Sequence, residues 1–236
     1  MDQTPFTLHH EGDATGLVSA VYADIRRRMT FVPAIFKALA GDPRTLEQAW
    51  LQARALYDDP AFAESADRLR VLATPTVSFA STEVLRRAVA PFAAELPGLL
   101  LIVSSLAAAL DGRLPHRSPK GAIEPGDASP EPVVPELRGE HTLYASIRAV
   151  YGTAHVPSLY RSLAALDLLE EAWGMAGPLL SSDAGRSLID RVATAGDLEA
   201  MRFGNVGYFG SLEARPILDQ FRVALPRNLV VALALS

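Results

Sequence analysis

Apolar residues recur along the first part of the chain at spacings of three and four. Leu17, Val18, Val21, Ile25 and Met29 fall on one helical face, and Leu46, Trp50 and Leu56 on the buried stripe of another. Between them, Val32-Pro33 places a proline in the first turn of a short helix running to Leu39, where its missing N–H is no loss. Gly41-Asp42-Pro43 reads as a turn with proline opening the next helix. The most apolar stretch, residues 96–110, includes Pro97, Gly98, Ser104 and Ser105 and falls short of the ~20 residues that span a bilayer, so it reads as a buried core helix. Strand-like alternation is nearly absent. Only residues 74–79 could be extended, and Pro75 weakens that. The pattern predicts an all-α chain.

The pattern also occurs twice. Tyr22-Ala23-Asp24-Ile25-Arg26 returns as Tyr144-Ala145-Ser146-Ile147-Arg148, 122 residues on. Val32-Pro33-Ala34-Ile35-Phe36-Lys37-Ala38-Leu39-Ala40 returns as Val156-Pro157-Ser158-Leu159-Tyr160-Arg161-Ser162-Leu163-Ala164, at an offset of 124, and Leu46-Glu47-Gln48-Ala49-Trp50 as Leu169-Glu170-Glu171-Ala172-Trp173, at 123. Near each end, residues 92–100 resemble residues 221–229, at an offset of 129. Both tryptophans thus fall at equivalent positions. Two long copies are not the many short units of a solenoid; they read as a duplicated helical unit with a pseudo-twofold axis, two repeats in one compact body. The expected organisation is a first repeat over 14–111, a linker over 112–138 and a second repeat over 139–236. The linker holds six of the seventeen prolines with almost no apolar periodicity, and is expected to lie over the surface.

Composition narrows the function classes. Of 236 residues 49% are apolar, enough for a sizeable core. The net charge of −5, with no basic cluster longer than Arg26-Arg27-Arg28, argues against nucleic acid as a partner. The absence of cysteine removes disulfides, thiolate nucleophiles, redox pairs and cysteine-based zinc sites. No signal peptide or membrane span is read, so a cytoplasmic protein, monomeric or homodimeric, is the expectation.

No strong catalytic motif stands out: there is no nucleophile elbow, no phosphate loop and no histidine pair at metal-ligand spacing. His9-His10 reads as a solvated pair, and the acids Asp167, Glu170 and Glu171 as a solvated face. His155 differs, because it adjoins the Val156-Pro157 helix start, beside Ser158, Tyr160 and Arg161. A helix N-terminus attracts anions, so this corner could hold a carboxylate; equally, Ser158 could face solvent and Tyr160 simply pack. Arg161 matches Lys37 in the other copy, and both could serve structural ion pairs as readily as a ligand. Asn205 and Tyr208, in a glycine-flanked stretch, are further polar candidates.

The residues 22–50 and their second copy resemble the group I 2-haloacid dehalogenases, in which such a unit is duplicated and joined by a proline-containing linker. The resemblance implies two pseudo-symmetric all-helical halves, related to the alkylhydroperoxidase D-like fold, with the site between them. It further implies hydrolysis without metal or cofactor: an aspartate activates water, an asparagine helps position it, and halide is displaced at C2 with inversion. Here the aspartate position is occupied by Leu159, within Ser158-Leu159-Tyr160, and the asparagine position, just before a proline, by Leu96. A leucine cannot accept a proton from water. Together these replacements imply a dry cavity between the repeats, lined also by Phe31, Ala34, Leu99, Ser158 and Tyr160. The expected function is therefore a divergent family member binding a small hydrophobic or short carboxylic ligand. The alternatives are a dehalogenase using another acid such as Asp167, which would be a cofactor-independent hydrolase, and a non-catalytic structural or interaction protein. Alkylhydroperoxidase chemistry is excluded by the absence of cysteine.

Overall fold

Proline and short polar caps set where the helices of the first half begin. In the computed structural model, Pro33 has extended backbone (ψ 147°) and stands immediately before α2 (Ala34–Leu39), and Asp42 caps α3 (Pro43–Tyr57) by accepting from Arg44 N at 3.1 Å. Before them comes α1 (Gly16–Arg26); after them come α4 (Ala61–Ala73) and α5 (Glu83–Leu110), the latter capped by Thr82. The second half runs α6 (Tyr144–Tyr151), α7 (Ser158–Ala165), α8 (Leu169–Ser181), α9 (Asp183–Ala200) and α10 (Arg215–Leu235). Among the described residues each half thus has five α-helices and closes on its longest. The structure describes residues 6–76, 79–117, 122–123, 126, 134–206 and 212–236, with backbone alone at 116–117, 205–206 and 212.

The chain is all-helical. Among the described residues the one extended pairing is two residues long and parallel, β1 (His116–Arg117) with β2 (Asn205–Val206). The helices pack around α5 and α10, which make the most extensive pairing in the molecule. One continuous core joins Trp50, Phe36 and Ile25 of the first half to Leu163, Leu218 and Val230 of the second.

Two elements differ from the sequence expectation. The apolar stretch at 96–110 is the C-terminal part of a 28-residue helix that continues through Pro91 and Pro97. By length and hydropathy α5 could cross a membrane, yet 78% of its most apolar window is buried by the other helices. Burial of that window outweighs the two lost backbone donors. The linker is likewise not confined to the surface. Val134 is buried, Leu137 N donates to Arg161 O at 3.0 Å, and Ala122 O accepts from Arg54 at 3.0 Å. Residues 77–78 of the possible extended stretch lie outside the described residues.

Candidate functional site

The short helices α2 and α7 each begin directly after a proline, with no side chain capping them, so their first N–H groups have no intrahelical acceptor. Both starts reach the same cavity, of about 60 Å³, room for roughly four waters. Its walls come from both halves in matched pairs: Pro33 and Pro157, Ala34 and Ser158, Phe92 and Phe221, Leu96 and Leu225, Leu99 and Asn228. Phe31 joins them and packs its ring 5.2 Å from that of Phe92. Phe6 and Leu8 of the N-terminal arm complete the wall.

Phe6 closes over His155. The rings stack at 3.7 Å, Phe6 N donates to His155 Nε2 at 3.0 Å, and Phe221 lies on the other side of Phe6 at 5.7 Å. Accepting at Nε2 requires a neutral imidazole in the tautomer protonated at Nδ1. Burial lowers the His155 pKa below its ordinary value, and the positive charges of Arg161 and Arg148 lower it further, so the ring is neutral at neutral pH. The arm is fastened below this point: His9 N donates to Lys37 O at 3.0 Å, and Tyr22 Oη donates to His9 O at 2.8 Å.

Leu96 and Leu159 are 4% and 1% exposed and share this cavity. Among the described residues no Asp, Glu, Lys or Arg side chain is in its wall, and His155 is the one titratable group there. In the wall, Ser158 Oγ and Asn228 Oδ1 are buried with no hydrogen-bond partner among the described residues. A group of this kind is costly to bury unsatisfied, and in a cavity it is a place for a ligand atom or a water.

Of the residues expected at the site, Phe31, Ala34, Leu96, Leu99, His155, Ser158 and Leu159 meet here, and Tyr160 and Arg161 do not. Tyr160 turns into the core of the second half. Its hydroxyl lies 2.9 Å from Tyr151 Oη and its ring 5.5 Å from Trp173, a packing site that burial favours over the cavity wall. Arg161 is on the opposite side of α7, 3.6 Å from Glu136, whose other carboxylate oxygen is 3.3 Å from Lys37 Nζ; Lys37 in turn lies 3.5 Å from Glu11. The two equivalent cations therefore serve one buried ion-pair cluster. Burial raises the Glu11 pKa despite Lys37.

Asp167 is exposed, in left-handed backbone (φ 57°), and lies away from the cavity. Glu171 receives Thr82 N at 3.2 Å. Asn205 is described only by its backbone pairing with His116, and Tyr208 lies outside the described residues. His9 is exposed and His10 half-buried, its pKa lowered by burial. Among the described residues no three His, Asp or Glu side chains gather around a metal-sized space.

Sequence reasoning missed Phe6, Leu8, Phe92, Thr153, Gln220, Phe221, Leu225 and Asn228. The second-copy match of 221–229 to 92–100 was a sufficient signal for four of these, because positions 92, 96 and 99 and their counterparts all reach the wall. The arm had no such signal.

No protein-family model matches the sequence, and no curated protein does so significantly. Solved structures do match in fold. A D-2-haloacid dehalogenase complexed with L-LA superposes with a TM-score of 0.78 at 18% identity, covering 99% of this chain and 98% of that one. A D-2-haloacid dehalogenase mutant gives 0.77 at 18% identity with the same coverage. A mutant complexed with D-2-CPA gives 0.73 at 16%, covering 98% and 97%. At these identities the likeness is one of fold.

Proposed function

We propose that this chain is a divergent relative of the 2-haloacid dehalogenases that holds a small hydrophobic or carboxylic ligand between two halves of duplicated origin, with the water-activating positions given up to Leu159 and Leu96. The observation that carries the reading is that both leucines are buried in the wall of a cavity with no carboxylate among its described residues. Hydrolytic dehalogenation forms a carbon–oxygen bond from water while halide leaves, and the water's proton must pass to a base. Neither leucine can take it, and Asp167, the acid considered as a substitute, is exposed and away from the wall.

Duplication is supported by the same five-helix order in each half and by one detail of side-chain chemistry. The Trp50 indole donates to Asp24 at 2.7 Å, and the Trp173 indole donates to Ser146 at 3.1 Å; both donors and both acceptors are at matching repeat positions.

The test is halide release from D- and L-2-chloropropionate by the unmodified protein and by a Leu96→Asn, Leu159→Asp double variant. The reading predicts no release from the first and measurable release from the second. Release from the unmodified protein would refute it, because another base would then be at work.

A further inference from the structure

Resting on the reading of this cavity as a ligand site, we infer that it selects a small uncharged aliphatic molecule with a hydrogen-bonding head, a short primary amide or alcohol, over the corresponding carboxylate, and that Asn228 is the residue that holds the head group. The paired construction of the wall shows where the selectivity lies. Pro33, Phe92 and Leu96 are met by Pro157, Phe221 and Leu225, apolar against apolar. Two pairs break the match: Ala34 is met by Ser158, and Leu99 by Asn228. Both substitutions put a polar side chain on the second half's side of the chamber, which also carries Thr153, His155 and Gln220, and both leave a buried oxygen with no partner among the described residues.

Asn228 is 6% exposed, so its amide is held in place and largely out of water. Its Oδ1 is an acceptor, so a ligand N–H or O–H would satisfy it, and a carboxylate has no such hydrogen to offer. Ser158 is the first residue of α7, where its hydroxyl and the unpaired N–H groups of the helix start suit a carbonyl or hydroxyl oxygen. A primary amide presents one group to each.

A carboxylate finds no full positive charge in the wall, since His155 is neutral, and Lys37 and Arg161, on the far side of the short helices, are balanced by Glu11 and Glu136. Burying an unpaired carboxylate is unfavourable. The cavity's volume of about 60 Å³ suits a three-carbon chain better than a long one.

Propionamide and propionate differ only in that head group, so amide-resolved NMR titrations of both at neutral pH, with the unmodified protein and with Asn228→Leu, test the inference. Xenon, read by the same shifts, reports entry into the cavity without any head group. The expected result is xenon entry in both proteins, at least tenfold tighter binding of propionamide than of propionate by the unmodified protein, and at least tenfold weaker binding of propionamide by Asn228→Leu. Equal or tighter binding of propionate, or propionamide binding unchanged in Asn228→Leu, would overturn the inference and leave the cavity standing as a ligand site. Exclusion of xenon and both C3 compounds alike would overturn the site itself.

Discussion

Asp24 shows how much one buried carboxylate can organise. It is 3% exposed, accepts from the Trp50 indole at 2.7 Å, and lies 3.4 Å from Arg54 and 3.3 Å from Arg27 and Arg28. Burial alone would raise its pKa; the indole hydrogen bond and the neighbouring guanidinium groups outweigh it and hold the carboxyl below its ordinary value. Asp24→Ala should cost roughly 3 kcal/mol by chemical denaturation, because it leaves the indole N–H without its acceptor and removes a counter-charge from Arg54. Ser146, its repeat counterpart, is exposed, and Ser146→Ala should cost only about 0.5–1 kcal/mol. Glu199 is the clearest pH-linked group. Hydrogen bonds from Arg68 and Ser65 hold its carboxyl down to about 2. A folded-state pKa below the ordinary carboxylate value means that its contribution is complete above about pH 4.5 and lost as pH falls towards 2. Glu199→Gln should therefore cost roughly 1 kcal/mol at pH 7, after allowance for its partial exposure, and flatten the acid limb of a stability-against-pH curve.

Among the elements, α9 depends on one glycine. Ser182 caps it, accepting from Gly185 N at 3.0 Å, and a Cβ on Gly185 would sit 1.9 Å from Leu179 O at the end of α8. Gly185→Ala should lower stability by about 2–3 kcal/mol or shift the α8–α9 corner, read by thermal unfolding. How far such elements were legible depends on whether their determinants are local. Pro33, Pro43 and the three-and-four spacing of 17–25 fix α1 to α3 from within a few residues, and the helices lie close to where the sequence put them, except that α1 ends at Arg26, before Met29, and Pro33 stands just ahead of α2, outside its first turn. In α5 the local signal misleads. Pro91 and Pro97 each remove a backbone donor that would weaken an isolated helix, and the packing of α10, α9 and α4 against it keeps 83–110 one helix. The linker is a similar case, since nothing near Glu136 announces that Lys37 and Arg161 will meet it.

At the scale of the whole molecule, the cluster of Glu11, Lys37, Glu136 and Arg161 ties the N-terminal arm, α2, the linker and α7 together beside the cavity. Removing its shared member by Glu136→Ala should cost about 3 kcal/mol, since two largely buried cations lose a counter-ion, and should speed hydrogen exchange at the amides of Phe6 and His9, which close the arm. The site was only half legible for the same reason as the linker. Repeat arithmetic brought positions from both halves to one cavity, and the same arithmetic, pursued to 221–229, reaches Asn228. The arm's Phe6 and the outward turn of Arg161 depend on three-dimensional contacts with no counterpart in the repeat. The dryness of the cavity at Leu159 can be measured directly. A carboxyl introduced by Leu159→Asp, followed by carbon-detected NMR titration, should titrate above about pH 6, because burial in an apolar wall disfavours its charged form. A midpoint near the ordinary value of about 4 in a folded variant would contradict a dry, leucine-lined cavity at this position.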